Sequence, residues 1–254
     1  MKNIFDSHAH YNDEQFDIDR DSLLASLPEA GIVGIINCGT DVKSSSESLV
    51  MAEKYPFVYA ACGYHPESAL EFADDNLIEI EKMLSHPKCV AVGEIGLEYH
   101  YDFVPKDVQK YVFEKHLELA VKYDMPVIVH DREAHADTMD LLKKYRPKGV
   151  LHCYSGSTEM AKEVLKLGMY IGLGGAVTFK NAVKPVEVAE MIPLDRLLLE
   201  TDCPYMAPVP MRGKRNNSAY IEFVAEKIAG IRGVSAQDLL DITAENTRVL
   251  FGIK

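Results

Sequence analysis

Long apolar runs are missing from this chain. No stretch approaches the roughly 18 consecutive apolar residues that a membrane-spanning helix needs. Cysteine is sparse: Cys38, Cys62, Cys89, Cys153 and Cys203 are odd in number, scattered and without a C-x-x-C pair. That excludes a disulfide scaffold and reads as reduced thiols. Positive charge is in deficit, with 27 Lys and Arg against 39 Asp and Glu and a formal charge of −12. Broad affinity for nucleic acid or anionic membranes is thereby excluded, because neutralising phosphates takes clustered Lys and Arg. A local basic pocket is still allowed. No G-x-G-x-x-G follows the first apolar run, no low-complexity segment divides the chain, and Ser155 in HCYSG lacks the G-x-S-x-G context of a nucleophile elbow. The start, MKNIFDSHAH, carries one Lys and turns polar at Asp6, unlike a secretory leader, so a cytoplasmic location is expected.

What is present is ordinary for a globular protein: 254 residues, 47% hydrophobic and 26% charged. Such a length suits one unit over 1–254, and α/β barrels commonly have it. Eight short apolar runs recur: 3–8, 31–39, 57–63, 89–96, 126–130, 149–153, 169–175 and 196–202. Each is rich in Val, Ile or Leu and bounded by Gly, Pro or polar residues, as buried parallel strands are. Helical stretches lie between them, at about 20–30, 44–55, 75–85, 107–124, 135–145, 157–168 and 183–191, with a last one over about 218–251. Alternation of eight strands with helices predicts an α/β fold, the closed (β/α)8 TIM barrel; a doubly wound open sheet is the alternative.

The chemistry-bearing residues fall where apolar runs stop. His8 and His10 close the first run, Glu94 the fourth, His130 the fifth, His152 the sixth and Asp202 the eighth. These are carboxyl ends of strands, the face that carries active sites in such barrels. Side chains at i and i+2 of a strand share a face, so His8 and His10 point together and Arg132 joins His130. Four imidazoles and two carboxylates converging in a barrel mouth are costly unless paired, and bound cations meet that cost. Six ligands exceed what one tetrahedral ion takes, so two metals sharing a carboxylate fit the count better. A single histidine at a strand end is usually a hydrogen-bonded structural residue; the whole set in order is hard to obtain by chance. His86 is expected at the surface, and His116 and His135 within helices as packing or exposed residues. Alternation turns Cys153 and Cys203 toward the helices as small buried residues.

The segments DSHAHYND at 6–13, GYHPE at 63–67, GEIGLEYHYD at 93–102, VIVHDRE at 127–133, LHCYSGS at 151–157 and ETDCPYMAP at 200–208 resemble the TatD family of metal-dependent deoxyribonucleases, kin to the amidohydrolase superfamily. RGKRN at 212–216 and TAENTRVLF at 243–251 match as well, so the resemblance runs through the chain in order. It implies a (β/α)8 barrel and an ester-hydrolysing activity on DNA phosphodiesters. It also implies two divalent ions per subunit, Mg, Mn, Zn or similar. His8, His10, Glu94, His130, His152 and Asp202 become the metal set: Glu94 bridges, His8 and His10 hold one ion, His130 and His152 the other. Asp202 joins the first ion and contacts the attacking water, which makes Asp202 and Glu94 the catalytic pair. His65 and Arg132 match positions beside the substrate phosphate. DNA, single-stranded or frayed at an end, is the expected substrate, with no membrane and no obligate protein partner. Two positions depart from the family. Glu98 stands where Asp is usual, and its extra methylene displaces the carboxylate, so Glu98 is left out of the ligand set. Ser218 stands where Pro is frequent and is expected to cap the following helix.

The basic cluster Arg212, Lys214 and Arg215 is either a solvated turn or a phosphate-binding rim. Tyr99, Tyr101 and Tyr205 beside the mouth are either packing residues or stacking surfaces for bases. Competing functions are a small-molecule amidohydrolase (a lactonase or phosphotriesterase, many of which bridge their metals with a modified Lys where this chain has Glu94), an aminoacyl-tRNA ester deacylase, and a non-catalytic barrel. Retention of all six ligand positions argues against the last.

Overall fold

The computed structural model describes residues 1–254. Its eight strands are β1 (Ile4–Ala9), β2 (Ile32–Cys38), β3 (Val58–Cys62), β4 (Cys89–Glu98), β5 (Val127–Arg132), β6 (Gly149–Leu151), β7 (Tyr170–Leu173) and β8 (Leu197–Leu199). They pair in chain order, every ladder parallel. The helices α1 (Arg20–Ser26), α2 (Val42–Lys54), α3 (Asp74–Met83), α4 (Lys106–Lys122), α5 (His135–Tyr145), α6 (Thr158–Lys166), α7 (Lys184–Met191), α8 (Ile221–Arg232) and α9 (Ala236–Phe251) alternate with them. This is the (β/α)8 barrel. No helix is long and apolar enough to cross a membrane.

Alternation along the strands builds two apolar layers. Ile35, Val127, Val129, Leu151, Ile171, Leu197 and Leu199 belong to the large cluster under the helices. Ile36, Ile128, Val150, Tyr170 and Leu198, one residue out of phase, fill the barrel interior with Phe5. His130 and His152 share the parity of this second set, so they emerge at the top of the interior. Strict alternation does not deliver the others. Phe5 points inward, which would send Asp6 and His8 outward, but the pairing with β2 shifts register between Asp6 and Ala9, and His8 turns inward. Val92 and Ile95 both join the outer cluster, and a register shift between them leaves Glu94 facing in. Such irregularities commonly re-aim a side chain at a barrel rim.

The helix starts follow local chemistry. The Asp41 carboxylate accepts from Ser44 N–H at 2.6 Å and the Ser44 hydroxyl accepts from Asp41 N–H at 2.9 Å, closing a capping box on α2. Ser157 caps α6. Two expectations need correction. The single last helix over 218–251 is broken: α8 ends at Gly233, whose φ of +66° suits a residue without Cβ, and Ser235 caps a new helix, α9. The stretch 20–30 likewise splits, because Pro28 cannot continue the hydrogen bonding of α1 and the chain tightens into a 3₁₀ turn.

Candidate metal centre

The expected residues meet at the carboxyl end of the barrel in two donor groups. In the first, His8 Nε2 and His10 Nε2 are 2.9 Å apart. Both face Glu94 Oε2, at 3.3 and 3.2 Å, and Asp202 Oδ1, at 3.6 and 3.5 Å. In the second, Glu94 Oε1 lies 3.0 Å from His130 Nδ1 and 2.8 Å from His152 Nε2, which are 3.3 Å from each other. The two oxygens of Glu94 therefore serve different groups. A divalent ion with nitrogen and oxygen ligands at about 2.0–2.2 Å sets neighbouring donors roughly 2.8–3.6 Å apart. Both groups match that spacing. His8, His152 and Asp202 also lie within 4.8 Å of one another, so the two groups adjoin.

What stands behind each imidazole decides which nitrogen is free. His10 Nδ1 donates to the Cys38 carbonyl at 3.0 Å. His8 Nδ1 faces the Cys38 sulfur at 3.5 Å, while that thiol points its own hydrogen at the Ile36 carbonyl. His130 Nε2 lies 3.2 Å from Glu98 Oε2. His152 Nδ1 is 3.7 Å from Glu200 Oε1 and has no closer partner. An acceptor behind a ring keeps the proton there and frees the opposite nitrogen for a cation. His65 is the reverse case. Its Nδ1 accepts from Glu67 N–H at 3.2 Å, so the neutral ring carries its proton on Nε2, 3.5 Å from Glu94 Oε1. His65 is built to donate into the site.

Charge supports the same division. Burial works to raise the Glu94 carboxyl, but His152, His65 and His8 around it and the His10 bond outweigh that and hold it well below its usual range. Burial would lower His10 and His130, yet bonds to Asp202 and Glu94 push His10 up to about 10, and bonds to Glu94 and Glu98 push His130 up to about 8. Burial dominates at His65 and brings it down to about 3. The carboxylates thus demand positive charge in both groups, as protons or as cations.

Glu98, left out of the expected ligand set, and Glu200 and Asp6, absent from it, complete the site. Glu98 does reach His130, so its longer side chain keeps a hydrogen bond behind the ring, and it also accepts from His100 N–H at 2.7 Å. Glu200 is fully buried behind His152, in space that exists because residue 172 is glycine: a Cβ there would come within 2.4 Å of Glu200 Oε2. Asp6 is buried beside His8, and burial, against four hydrogen bonds, raises its carboxyl to about 7. The available signal was an acid two residues before a ligand candidate inside an apolar run, since buried acids are rare unless paired. Asp202 lies three residues beyond β8 with φ +56°, and His152 one beyond β6.

A cavity of about 310 Å³ opens above the donors, with Asn12, Thr40, Ser68 and Tyr205 on its rim. Arg132 stands near it, 3.8 Å from Glu98 and over the Tyr101 ring. Arg215 is not free at the rim: its guanidinium forms a fork on Asp19, at 2.8 and 2.6 Å. Arg212 and Lys214 are both exposed, Arg212 with its guanidinium over the Phe179 ring. Tyr99 is tied to Asp137, Tyr205 to Asp13, and Tyr101 stacks in the open with Phe103. Ser218 does not cap; Asn217 does, and the Ser218 hydroxyl bonds Asp6 instead. Cys203 is buried and Cys153 half-buried, His86 pairs with Glu53, His116 is fully buried and His135 bonds Asp131.

The TatD related DNase family pattern matches residues 5–252. The uncharacterized metal-dependent hydrolase YabD of Bacillus subtilis is 42% identical, with 98% of this chain and 99% of the relative covered. The 3'-5' ssDNA/RNA exonuclease TatD of Erwinia tasmaniensis is 33% identical over 98% of this chain and all of its own length. The crystal structure of YJJV, a TatD homolog from Escherichia coli K12, superposes with a TM-score of 0.94 at 33% identity, covering 99% of each chain.

Proposed function

The chain belongs to the TatD family and is a metal-dependent hydrolase of that type, and from this premise we propose that it hydrolyses phosphodiester bonds of DNA, taking single strands or frayed ends. The observation that carries the reading is the partition of Glu94: Oε2 serves His8, His10 and Asp202, and Oε1 serves His130 and His152. A carboxylate so divided suits two divalent ions and leaves no oxygen spare for a base function of its own. Divalent cations held there supply an activated water near neutral pH and an electrophile for the phosphoryl oxygen.

The chain's own residues supply the rest. Asp202 contacts the first donor group through Oδ1 and faces the cavity, so it can orient the attacking water and take its proton. His65, neutral and with Nε2–H aimed inward, donates to a non-bridging oxygen. The Arg132 guanidinium, 3.8 Å from Glu98, can hold a second one. These fixed donors meet charge as it develops in the transition state. Lys214 and Arg212, exposed on the loop after β8, are assigned to the flanking backbone. The name carried by the Erwinia relative supports a single-stranded substrate. Five free thiols fit a reducing cytoplasm.

The test is cleavage of labelled single-stranded DNA by metal-stripped protein with Mg, Mn, Zn or Co restored, beside Asp202→Ala. Metal-restored cleavage that the variant lacks supports the reading. Absence of cleavage with every metal, from protein that binds two ions, refutes DNA as the substrate.

A further inference from the structure

The barrel is laddered from β1 round to β8, but the seam between β8 and β1 has little main-chain pairing. Asp202 N–H donates to the His8 carbonyl at 3.0 Å, and His10 N–H donates to the Cys203 carbonyl at 2.8 Å. Below these two bonds the seam is held by side chains. Ser7 Oγ donates to the Leu199 carbonyl at 3.0 Å. Asp6, with no exposure, accepts four bonds. Its Oδ1 takes Thr201 N–H at 3.0 Å and His8 N–H at 3.3 Å, and its Oδ2 takes the hydroxyls of Thr201 at 2.6 Å and Ser218 at 2.7 Å. The Ser218 hydroxyl is braced by Tyr11 at 2.8 Å, and Thr201 Oγ1 accepts from Cys203 N–H at 3.2 Å.

Three of the four bonds that Asp6 accepts come from His8 itself or from Thr201, the neighbour of Asp202, and the fourth comes from Ser218. Thr201 is fixed through both its backbone and its side chain, Cys203 is fixed from Thr201, and Asp202 stands between them at φ +56°. A residue with a side chain keeps that left-handed conformation where its surroundings over-determine it. We propose that Asp6, acting through Thr201 and Ser218, is a positioning residue that sets the Asp202 carboxylate against His8 and His10. It contacts neither substrate nor reacting atoms. The inference rests on the reading of two cation-holding groups given above, and it adds a specific asymmetry. Asp6 governs the group on the β8–β1 seam and has no bond to His130, His152 or their partners.

Zinc binding to metal-stripped protein, measured in competition with a chelating dye and alongside thermal melting, tests it. The parent takes up two ions. Thr201→Val and Asp6→Asn weaken one of the two binding steps tenfold or more and leave the other unchanged, a size typical of partners behind metal ligands. Ser218→Ala does the same to a smaller degree, and Thr201→Ser, which keeps the hydroxyl, restores the parent value. Should Asp6→Asn fail to fold, Thr201→Val and Ser218→Ala carry the test. Two steps unchanged in those variants, or both weakened together in step with melting temperature, overturn the positioning role. A parent that binds fewer than two ions overturns the two-group reading itself, and the positioning role with it.

Discussion

His116 offers a quantitative test of the packing around α4. Its ring is fully buried between Tyr64 and Phe72, Nδ1 donates to the Val112 carbonyl at 2.8 Å, and Nε2 has no partner. Burial lowers its pKa from 6.5 to about 4. The fold therefore favours the neutral ring, while the unfolded chain takes up a proton below pH 6.5. The sign follows: the His116 contribution is intact above about pH 6.5 and is lost as pH falls toward 4, because the unfolded state binds the extra proton. At 1.36 kcal/mol per pKa unit the full loss is about 3 kcal/mol, of which about 2.5 kcal/mol has gone at pH 4.5. Urea unfolding of the metal-stripped parent and His116→Leu at pH 7.5 and 4.5 isolates this contribution, since other titrating groups cancel in the difference. The variant should gain about 2.5 kcal/mol on the parent between the two pH values. A difference between the two proteins that does not change with pH would refute the reasoning.

Three further outcomes are expected. Removing the carboxylate behind His130 with Glu98→Ala should weaken binding of one zinc ion about 10- to 100-fold, with Glu98→Asp falling between, as read by dye competition. Charge reversal at Lys214 should reduce the salt slope of single-stranded DNA binding by about one or more, whereas Arg215→Ala, which breaks the fork on Asp19, should lower the melting temperature and leave that slope alone. Replacing both exposed rings with Tyr101→Ala and Phe103→Ala should weaken oligonucleotide binding by about 1–3 kcal/mol per stacked base, measured by fluorescence anisotropy. It should not alter turnover of a small phosphodiester lacking a base, and equal binding by parent and variant would assign these rings to loop packing.

Much of the site was legible because strand ends can be read from the sequence. An apolar run closed by His130, or by His152, declares both the element and its carboxyl end, and parity then places these residues inside the barrel. Glu98 was harder. Chain length alone says that glutamate reaches further than aspartate, but whether the extra methylene spoils a hydrogen bond depends on where the His130 ring sits. Ser218 shows a related limit. Serine before a helix is a plausible cap on local grounds, yet Asn217 takes that place and Asp6, distant in sequence, claims the Ser218 hydroxyl. Arg215 shows the same limit, since a charge in a basic cluster looks available until Asp19 is found beside it.

The sequence by itself determined the eight alternating elements, the acid and imidazole at the strand ends, and thus the class of chemistry the barrel mouth can hold. Tertiary structure decided the rest. Register shifts in β1 and β4 turned His8, His10 and Glu94 inward against simple alternation, because register is set by pairing with neighbouring strands. The group behind each imidazole decided which nitrogen faces the site, separating His65 as a donor from the four rings with a free inward nitrogen. The near-absence of a ladder at the β8–β1 seam left a buried carboxylate to hold Asp202. These are properties of groups that meet only after folding, and no local pattern in the chain encodes which partner each one finds.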